Sequence, residues 1–385
     1  MRVLLSCLQS LKQHPLPAYD FWRPYFIGGC QEAGIEYLEV PEIDWVEGLI
    51  YSPGIELEKW RDRLWDKVLA FVRKEQDRQP VDFFLCYLYP KQVEVSAIIE
   101  LQRMGIPCVN FFCDNVREFR KVPDEYRHFS LNWVPEFEAL PMYQKAGIPH
   151  LHAPMPCWVP HELRTVPTTE TDPPTFIGSA DILRRDLFGH ALQSGADFNL
   201  RGSGWQAGAE SPINSDLGSR PVPELIANQI STLRTHGMRG LYHKMENHLR
   251  PLQHPVIPET RIGSFLSKSE YIRVTREAMV AIGVNRVPTA WNSDHHPLTY
   301  SRLRDVEAPM MGACYLTEWT PGLEELYDLG GEIESYRTPD ELAAKLSELK
   351  RDSARRRLMR ERAQKRALTD HSVANSLGRI CKRLF

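Results

Sequence analysis

One predicted helix of the sequence carries a dense group of polar residues at its start. Four of them fall within eight positions: Tyr300, Arg302, Arg304 and Glu307. Arg304 and Glu307 are three residues apart, so they share a face of the helix predicted over 303–312. An arginine at a helix entrance suits a diphosphate, and a carboxylate one turn later can accept hydrogen bonds from a ribose diol. The spacing predicts a nucleotide site, with an ordinary surface ion pair as the alternative.

Two glycine-containing turns follow predicted strands in the same half of the chain. Phe176–Ser179 leads into Asp181, a predicted N-cap, and Arg201–Trp205 reads as a tight turn. Such units can present backbone N–H groups to a phosphate, and glycine lets a ligand approach the backbone closely. A plain turn is the alternative at both places, and Trp205 suits either stacking on a base or packing. The candidates for phosphate contact are Gly178, Ser179, Arg184, Gly202 and Gly204.

The first half of the chain offers two acid–base candidates. Asp114 directly follows the apolar strand Val109–Cys113, and His14 lies in the loop after the first strand. Ligands of open α/β sheets bind at the carboxyl ends of the strands, where a carboxylate can serve as a general base. We therefore predict Asp114 and His14 as catalytic residues. The alternative for Asp114 is a turn or helix-capping role.

The sequence does not indicate metal or cofactor chemistry. His295 and His296 follow Asp294, but adjacent loop histidines rarely bind one ion together, and no third ligand is evident. The eight cysteines are scattered without a C-x-x-C pair, which fits reduced thiols in a cytoplasm. We expect no metal and no cofactor.

The elements that must position these residues alternate between strand and helix. Short apolar strands are separated by helices with apolar residues near a 3.6 spacing, as over Glu56–Gln76. This rhythm predicts parallel α/β sheets, and it restarts after the Thr- and Pro-rich segment Leu163–Pro174. The predicted domains of the 385 residues are 1–165 and 170–370, with a last helix in 371–385.

Charge and hydropathy narrow the choice of partners. A net charge of −3, from 47 basic and 50 acidic residues, excludes a globally basic nucleic-acid binder. No apolar run reaches the ~18 residues of a membrane span, so we expect a cytoplasmic protein.

Lys345–Arg366 carries ten basic against three acidic residues. It reads as a solvated helix face, and the alternative is peripheral contact with the inner face of an anionic membrane.

Several segments of the second half resemble a known family. The pattern is similar to that of CgeB-like (spore-maturation-type) glycosyltransferases over about residues 174–370, with a weaker match over 80–160. The matching segments are Phe176–Ser179, Arg201–Trp205, Val280–Arg286, Leu298–Glu318 and Pro321–Leu326.

The resemblance implies an α/β protein of the GT-B fold, with two Rossmann-like domains facing across a cleft and a last helix crossing back to the N-terminal domain. It implies a bacterial, metal-independent glycosyltransferase of cell-surface glycan biosynthesis, of hexosyl or deoxyhexosyl type (EC 2.4). The donor would be a nucleoside diphosphate sugar held by the C-terminal domain. The acceptor would be a glycan, a lipid-linked molecule or a protein.

The resemblance also implies roles for residues of this sequence. Glu307 would bind the donor ribose, Arg302 or Arg304 would contact the diphosphate, and Gly178 and Ser179 would lie beside the phosphates. The other donor-binding candidates are Arg184, Gly202, Gly204, Arg286 and Tyr300.

The sequence departs from the wider retaining family at one position. That family has a first glutamate eight residues before the second, and here Thr299 stands there. The nearby substitutes are Asn292, Asp294 and His295. The departure leaves both retention and inversion of the sugar open, and it admits two other functions: a nucleotide-sugar epimerase, or a non-catalytic assembly protein. The segment 206–259 reads as an insertion with an acceptor or partner surface.

Overall fold

A computed structural model describes residues 1–14, 22–206, 242–289 and 292–385, apart from 244, 248, 251 and 253. The chain divides into two compact units. The first unit comprises Met1–Pro160 and Leu368–Phe385, and the second comprises His161–Ala367.

The first unit is built on a six-stranded sheet in which all neighbouring strands are parallel. Its strands are β1 (Arg2–Ser6), β2 (Glu36–Leu38), β3 (Phe83–Cys86), β4 (Cys108–Phe111), β5 (Leu131–Val134) and β6 (His150–His152), in the order β2-β1-β3-β4-β5-β6. The four central strands are buried along their whole length. Continuous burial explains why they are apolar runs rather than alternating patterns.

Helices of the first unit follow the apolar spacing seen in the sequence. They are α1 (Trp22–Glu32), α2 (Glu47–Ile50), α3 (Ile55–Gln76), α4 (Val95–Arg103), α5 (Asn115–Glu118) and α6 (Leu140–Ala146). In α3 the buried face includes Trp60, Trp65 and Val68. The Trp65 indole donates to the carbonyl of Gln92 at 2.9 Å, which satisfies its one polar atom inside the core.

The last helix of the chain, α13 (Val373–Leu384), packs on the first unit. A Cβ at Gly29 of α1 would overlap the side chain of Val373, so glycine is needed for this close approach. The Val373 N–H donates to the carbonyl of Cys157 at 3.2 Å, and the Arg379 guanidinium donates to the carbonyl of His152 at 2.6 Å. The predicted return of the last helix to the N-terminal part of the protein is confirmed.

The second unit is built on a second parallel sheet of six strands. Its strands are β7 (Thr175–Ile177), β8 (Asn199–Arg201), β9 (Ile262–Gly263), β10 (Ala281–Gly283), β13 (Tyr315–Glu318) and β14 (Glu334–Tyr336), in the order β14-β13-β10-β7-β8-β9. A short antiparallel hairpin, β11 (Arg286–Val287) with β12 (Leu298–Thr299), lies outside that sheet. The alternation of strand and helix predicted from the sequence is confirmed in both units.

The helices of the second unit surround one apolar core. They are α7 (Ile182–Gln193), α8 (Lys268–Glu277), α9 (Leu303–Met310), α10 (Leu323–Leu326), α11 (Pro339–Arg351) and α12 (Ser353–Asp370). Phe176, Phe188 and Trp205 pack together in this core, with Phe176 and Phe188 ring centroids 4.7 Å apart. Trp205 is 1% exposed, so it packs and does not offer a stacking surface. The predicted insertion at 206–259 lies largely outside the described residues.

Some basic residues of the run Lys345–Arg366 are buried and stabilise the second unit. Arg356 and Arg360 of α12 are buried, and Arg356 pairs with Glu170 at 2.6 Å. Arg360 donates to four backbone carbonyls, those of Arg276, Ala278, Met279 and Gly312. On the surface, Lys350 pairs with Asp197 and Arg357 with Glu361. Contact of the remaining basic residues with a membrane stays a prediction. Among the described helices, none is long and apolar enough to cross a bilayer.

Candidate functional site

The two glycine turns of the second unit interlock at the carboxyl ends of β7 and β8. The Gly178 N–H donates to the carbonyl of Arg201, and the Ala180 N–H to that of Ser203, both at 2.8 Å. Gly202 has a φ of +131°, and a Cβ there would overlap the Gly178 carbonyl. Only glycine fits this position, so the two turns form one rigid backbone surface.

The start of α7 adds a cation to this surface. The Asp181 side chain caps the helix by accepting from the Arg184 N–H at 2.9 Å. The Arg184 guanidinium donates to the carbonyl of Ser179 at 2.8 Å and lies 3.3 Å from Asp181. Burial lowers the pKa of Arg184, and the positive charges of Arg302 and Arg304 act in the same direction against Asp181. Arg302 and Arg304 therefore lie within electrostatic reach of Arg184.

A buried carboxylate holds the entrance of α9. Asp305 accepts from the Tyr315 hydroxyl at 2.8 Å, the Thr317 hydroxyl at 2.9 Å and the Arg302 N–H at 3.1 Å. Burial raises the pKa of Asp305 despite these bonds. The guanidinium of Arg302 lies 5.1 Å from the ring centroid of Tyr300, which is fully buried. Sequence reasoning missed Asp305, whose partners lie on β13, ten and twelve residues away.

Arg304 and Glu307 meet at one aromatic side chain. The guanidinium of Arg304 donates to the Ile177 carbonyl at 2.6 Å and lies 5.1 Å from the ring centroid of Tyr271. The Tyr271 hydroxyl donates to Oε2 of Glu307, which is buried. The predicted shared face of Arg304 and Glu307 is confirmed, and Tyr271, on α8, was not among the predicted site residues.

Arg286 is engaged in a buried ion pair at the end of β13. Its guanidinium bonds to Glu318 at 2.6 and 2.8 Å, and the N–H groups of Asn285 and Arg286 donate to the same carboxylate. Burial disfavours the charge, yet attraction to Glu318 leaves the pKa of Arg286 above its ordinary value. The structure thus gives the predicted donor-binding residue Arg286 a fixed partner, Glu318, that sequence reasoning did not name.

The substitutes proposed for Thr299 lie in the loop before β12. The Asp294 N–H donates to the Asn247 side chain at 3.0 Å, and His295 bonds to the Arg250 carbonyl at 2.9 Å. Asn292 donates to the carbonyl of His296. Burial raises the pKa of Asp294. The bonds of Asp294 and His295 tie the loop to Asn247 and Arg250.

The carboxyl edge of the first sheet carries Asp114. This half-buried residue lies between β4 and the short helix α5, whose Glu118 N–H donates to the Asp114 carbonyl at 2.8 Å. The Cys113 thiol lies 3.9 Å from the Asp114 carboxylate. The alternative capping role holds for the Asp114 backbone, while its side chain does not cap the helix.

A second carboxyl group, Glu136, lies beyond the neighbouring strand β5. It is completely buried, and Oε2 accepts from the Asn115 amide at 2.6 Å. The side-chain oxygen Oδ1 of Asn115 in turn accepts from the Tyr143 hydroxyl at 2.9 Å. Burial raises the pKa of Glu136 to about 8, and the charge of Asp114 acts in the same direction. The signal available in the sequence was a glutamate two residues after an apolar strand, the same kind of position that singled out Asp114.

His14 is bonded to Asp44, and both side chains are buried. Its Nε2 lies 2.9 and 3.1 Å from the two Asp44 carboxylate oxygens. That carboxylate also accepts from the N–H groups of Leu11 and Glu47 at 3.2 and 3.0 Å. Burial alone would raise the pKa of Asp44, but the hydrogen bonds, led by that of His14, bring it below its ordinary value. The second predicted catalytic residue thus sits in a histidine–aspartate pair whose imidazole is 2% exposed.

Over the described part of the chain, no group of three histidine, cysteine or acidic residues is arranged to hold a metal ion. The cations that could neutralise a phosphate are arginines.

Comparison with known proteins agrees with this architecture. Residues 184–382 match the model of a family described as glycosyl transferase-like. No curated protein sequence matches the chain.

Solved structures resemble the chain over its full length. Sucrose-phosphate synthase from Thermosynechococcus elongatus is 13% identical with a TM-score of 0.53, covering 100% of this chain and 98% of its own. HepE of Anabaena, solved in complex with UDP, is 12% identical with a TM-score of 0.54, covering 100% and 99%. HepE has also been solved with UDP-glucose. A glycosyltransferase from Rickettsia africae is 12% identical with a TM-score of 0.53, covering 100% and 97%. The expected GT-B fold, with two Rossmann-like units, is confirmed.

Proposed function

The chain belongs to the glycosyl transferase-like family, and we propose that it transfers a sugar from a nucleoside diphosphate sugar to an acceptor hydroxyl. The observation that carries this proposal is that Arg184 and Arg304 donate to the carbonyls of Ser179 and Ile177 beside the glycine turns, with the buried carboxylate of Glu307 one turn along α9. Guanidinium groups complement a diphosphate, and a carboxylate complements a ribose diol. The UDP and UDP-glucose complexes of HepE, a protein of similar fold, support the same donor class.

The reaction breaks the bond between the sugar anomeric carbon and the β-phosphate oxygen. The leaving diphosphate gains negative charge, which Arg302, Arg304 and the start of α7 stabilise in our proposal. The acceptor oxygen forms the new bond to the anomeric carbon. These cations supply the charge that a metal ion would otherwise supply, so we propose a metal-independent enzyme.

The acceptor proton has two destinations, depending on the stereochemistry. In an inverting reaction we assign it to the carboxylate of Asp114, at the carboxyl edge of the first sheet. In a retaining reaction the leaving phosphate takes it, and Asp114 only binds the acceptor. The first unit therefore supplies the acceptor side of the proposed reaction, and the second unit supplies the donor side.

The finer assignment follows the sequence resemblance. We propose a CgeB-like member of the GT-B enzymes that transfers a hexosyl or deoxyhexosyl group to a glycan, lipid-linked or protein acceptor in the cytoplasm. The family model that matches residues 184–382 supports the broader glycosyl transferase-like class within which this proposal lies.

A thermal-shift screen tests the donor site. The wild type and the Glu307→Ala variant are melted with UDP, GDP, dTDP, CMP or ADP, and Glu361→Ala, an exposed glutamate of α12, is the matched control. A ligand at 100 times its Kd stabilises the fold by about 2.7 kcal/mol. We expect one nucleotide to stabilise wild type and Glu361→Ala but not Glu307→Ala.

The same screen separates the rival functions. Stabilisation by no nucleotide would contradict the proposal and favour a non-catalytic assembly protein. Conversion of a nucleotide sugar without any acceptor would favour an epimerase.

A further inference from the structure

Tyr271 touches both side chains that the proposed function assigns to the two halves of the nucleotide. Its hydroxyl donates to Oε2 of Glu307, the proposed ribose ligand. Its ring lies 5.1 Å from the guanidinium of Arg304, a proposed diphosphate ligand.

The helix that carries Tyr271 is anchored at both ends. Ser267 and Glu270 form a capping box at the start of α8. Near its end, Arg276 donates to the Met311 carbonyl at 3.2 Å and to the Thr165 carbonyl at 2.7 Å. Met311 directly follows α9, so this bond fixes α8 against the helix that carries Arg304 and Glu307. Tyr271 is thus presented by a rigid element.

We propose that Tyr271 is a positioning residue that couples ribose recognition to diphosphate recognition. The inference rests on the proposed function of Arg304 and Glu307. The Tyr271 hydroxyl orients the Glu307 carboxylate for the ribose hydroxyls, and the Tyr271 ring orients the Arg304 guanidinium for the phosphates.

The chemistry of each contact supports this division. A carboxylate has about four acceptor positions, so one bond from a phenol fixes its orientation and leaves capacity for a diol. A guanidinium carries five N–H donors in a plane. The bond from Arg304 to the Ile177 carbonyl and the ring of Tyr271 together hold that plane at the end of β7. Loss of the ring removes one of these two contacts with the Arg304 guanidinium.

Two substitutions separate the hydroxyl from the ring. Tyr271→Phe removes only the hydroxyl, and Tyr271→Leu removes both contacts while keeping an apolar side chain on α8. Tyr51→Phe is the matched control, because the Tyr51 hydroxyl donates to Glu47 at 3.1 Å in the first unit. The probes are UDP, 2′-deoxy-UDP and inorganic pyrophosphate, measured by isothermal titration calorimetry.

We expect Tyr271→Phe to bind UDP about 10-fold more weakly, which is the loss of one hydrogen bond to a charged group. Its affinity for pyrophosphate stays at the wild-type level, and its preference for UDP over 2′-deoxy-UDP shrinks. Tyr271→Leu loses affinity for UDP and pyrophosphate together. Tyr51→Phe binds all three probes like the wild type. A role in stability alone would weaken all probes equally and would not alter these ratios.

Controls keep the two proposals distinct. If Glu307→Ala binds UDP like the wild type, the donor site itself is wrong, and the inference is overturned with it. If Glu307→Ala loses UDP while Tyr271→Phe retains both affinity and the preference over 2′-deoxy-UDP, the donor site stands and the role of Tyr271 is overturned. Should Tyr271→Leu fail to fold, the comparison of Tyr271→Phe across the three probes still decides.

Discussion

The carboxyl edges of the two sheets differ in how they hold charge. At the second edge, arginines cluster around interlocked glycine turns, and the nearby carboxylates Glu307 and Glu318 have fixed partners. At the first edge, Asp114 lies near an acid, Glu136, whose pKa of about 8 places its proton exchange near neutrality. The same strand–helix architecture thus presents a cationic surface in one unit and two neighbouring carboxyl groups in the other, of which Glu136 is buried with a raised pKa.

In the proposed reaction, this difference assigns the leaving diphosphate to the edge of the second sheet and the acceptor hydroxyl to the edge of the first. A leaving diphosphate needs positive charge that stays in place, which preorganised guanidinium groups provide. In the inverting form of the proposed reaction, the acceptor hydroxyl needs a group that takes up its proton, and a carboxylate can do so. The four predictions that follow test the division, starting with the largest expected effect.

The Asp114→Ala variant is the strongest test of the division. We expect turnover, followed as release of the nucleoside diphosphate, to fall by about 10²–10⁴-fold, since a general base contributes that much. Affinity for the nucleotide should stay at the wild-type level. Weakened nucleotide binding by this variant would mean that the two edges do not divide the work, and full turnover would mean that Asp114 is no base.

The glycine turn of the second edge is tested by Gly202→Ala. Because a Cβ would overlap the backbone of Gly178 at a φ of +131°, we expect a loss of about 3 kcal/mol in unfolding free energy. Gly195→Ala is the control, since Gly195 has a φ of +86° with no atom within 4 Å of the added Cβ, and should lose about 1 kcal/mol. Urea denaturation measures both, and equal losses would contradict the rigid-turn interpretation.

Exchange of a proton at the first edge is tested by Glu136→Gln. Between its ordinary pKa of 4.5 and the folded value of about 8, the unfolded chain has released a proton that the folded chain retains. Wild-type stability should therefore fall as the pH rises through this window, by about 1.4 kcal/mol per pH unit. Glutamine removes this slope. Thermal melts between pH 5 and 9 that keep the same slope in the variant would rule out a protonated Glu136.

The smallest effect is expected at the surface of α12. Arg357 and Glu361 form an exposed ion pair four residues apart, with a separation of 3.1 Å. Arg357→Ala should change the unfolding free energy by only about 0.3–0.5 kcal/mol, and less at high salt. Denaturation at low and high salt checks this. A loss above 2 kcal/mol would show that this helix face is not merely solvated.

Much of the fold was predictable from the sequence because its cues are local. Apolar runs of strand length, caps such as Asp181 and the positive-φ Gly195 mark the ends of elements within a few residues. The grouping of Arg302, Arg304 and Glu307 was predictable for the same reason, since they lie on one turn of one helix. The two-residue strands β9, β11 and β12 were missed, because so short a run carries no periodic signal.

The missed parts of the candidate site depend on contacts between distant segments. Tyr271 reaches Glu307 from another helix, and Glu318 reaches Arg286 from another strand. Glu136 is significant only because the structure buries it beside Asn115. His14 was singled out by its place after the first strand, yet its partner, Asp44, is set by a loop that the sequence pattern does not specify. Burial and pairing across the chain are the quantities that composition and spacing do not carry.

The packing of Val373–Leu384 on the first unit also bears on synthesis at the ribosome. The second unit is one uninterrupted stretch that ends before Leu368, so the segment that completes the first unit is translated after the whole of the second. Until then, the face of α1 around Gly29 has no helix against it. The first unit, although its translation starts first, can therefore complete its fold only after the second unit has been synthesised.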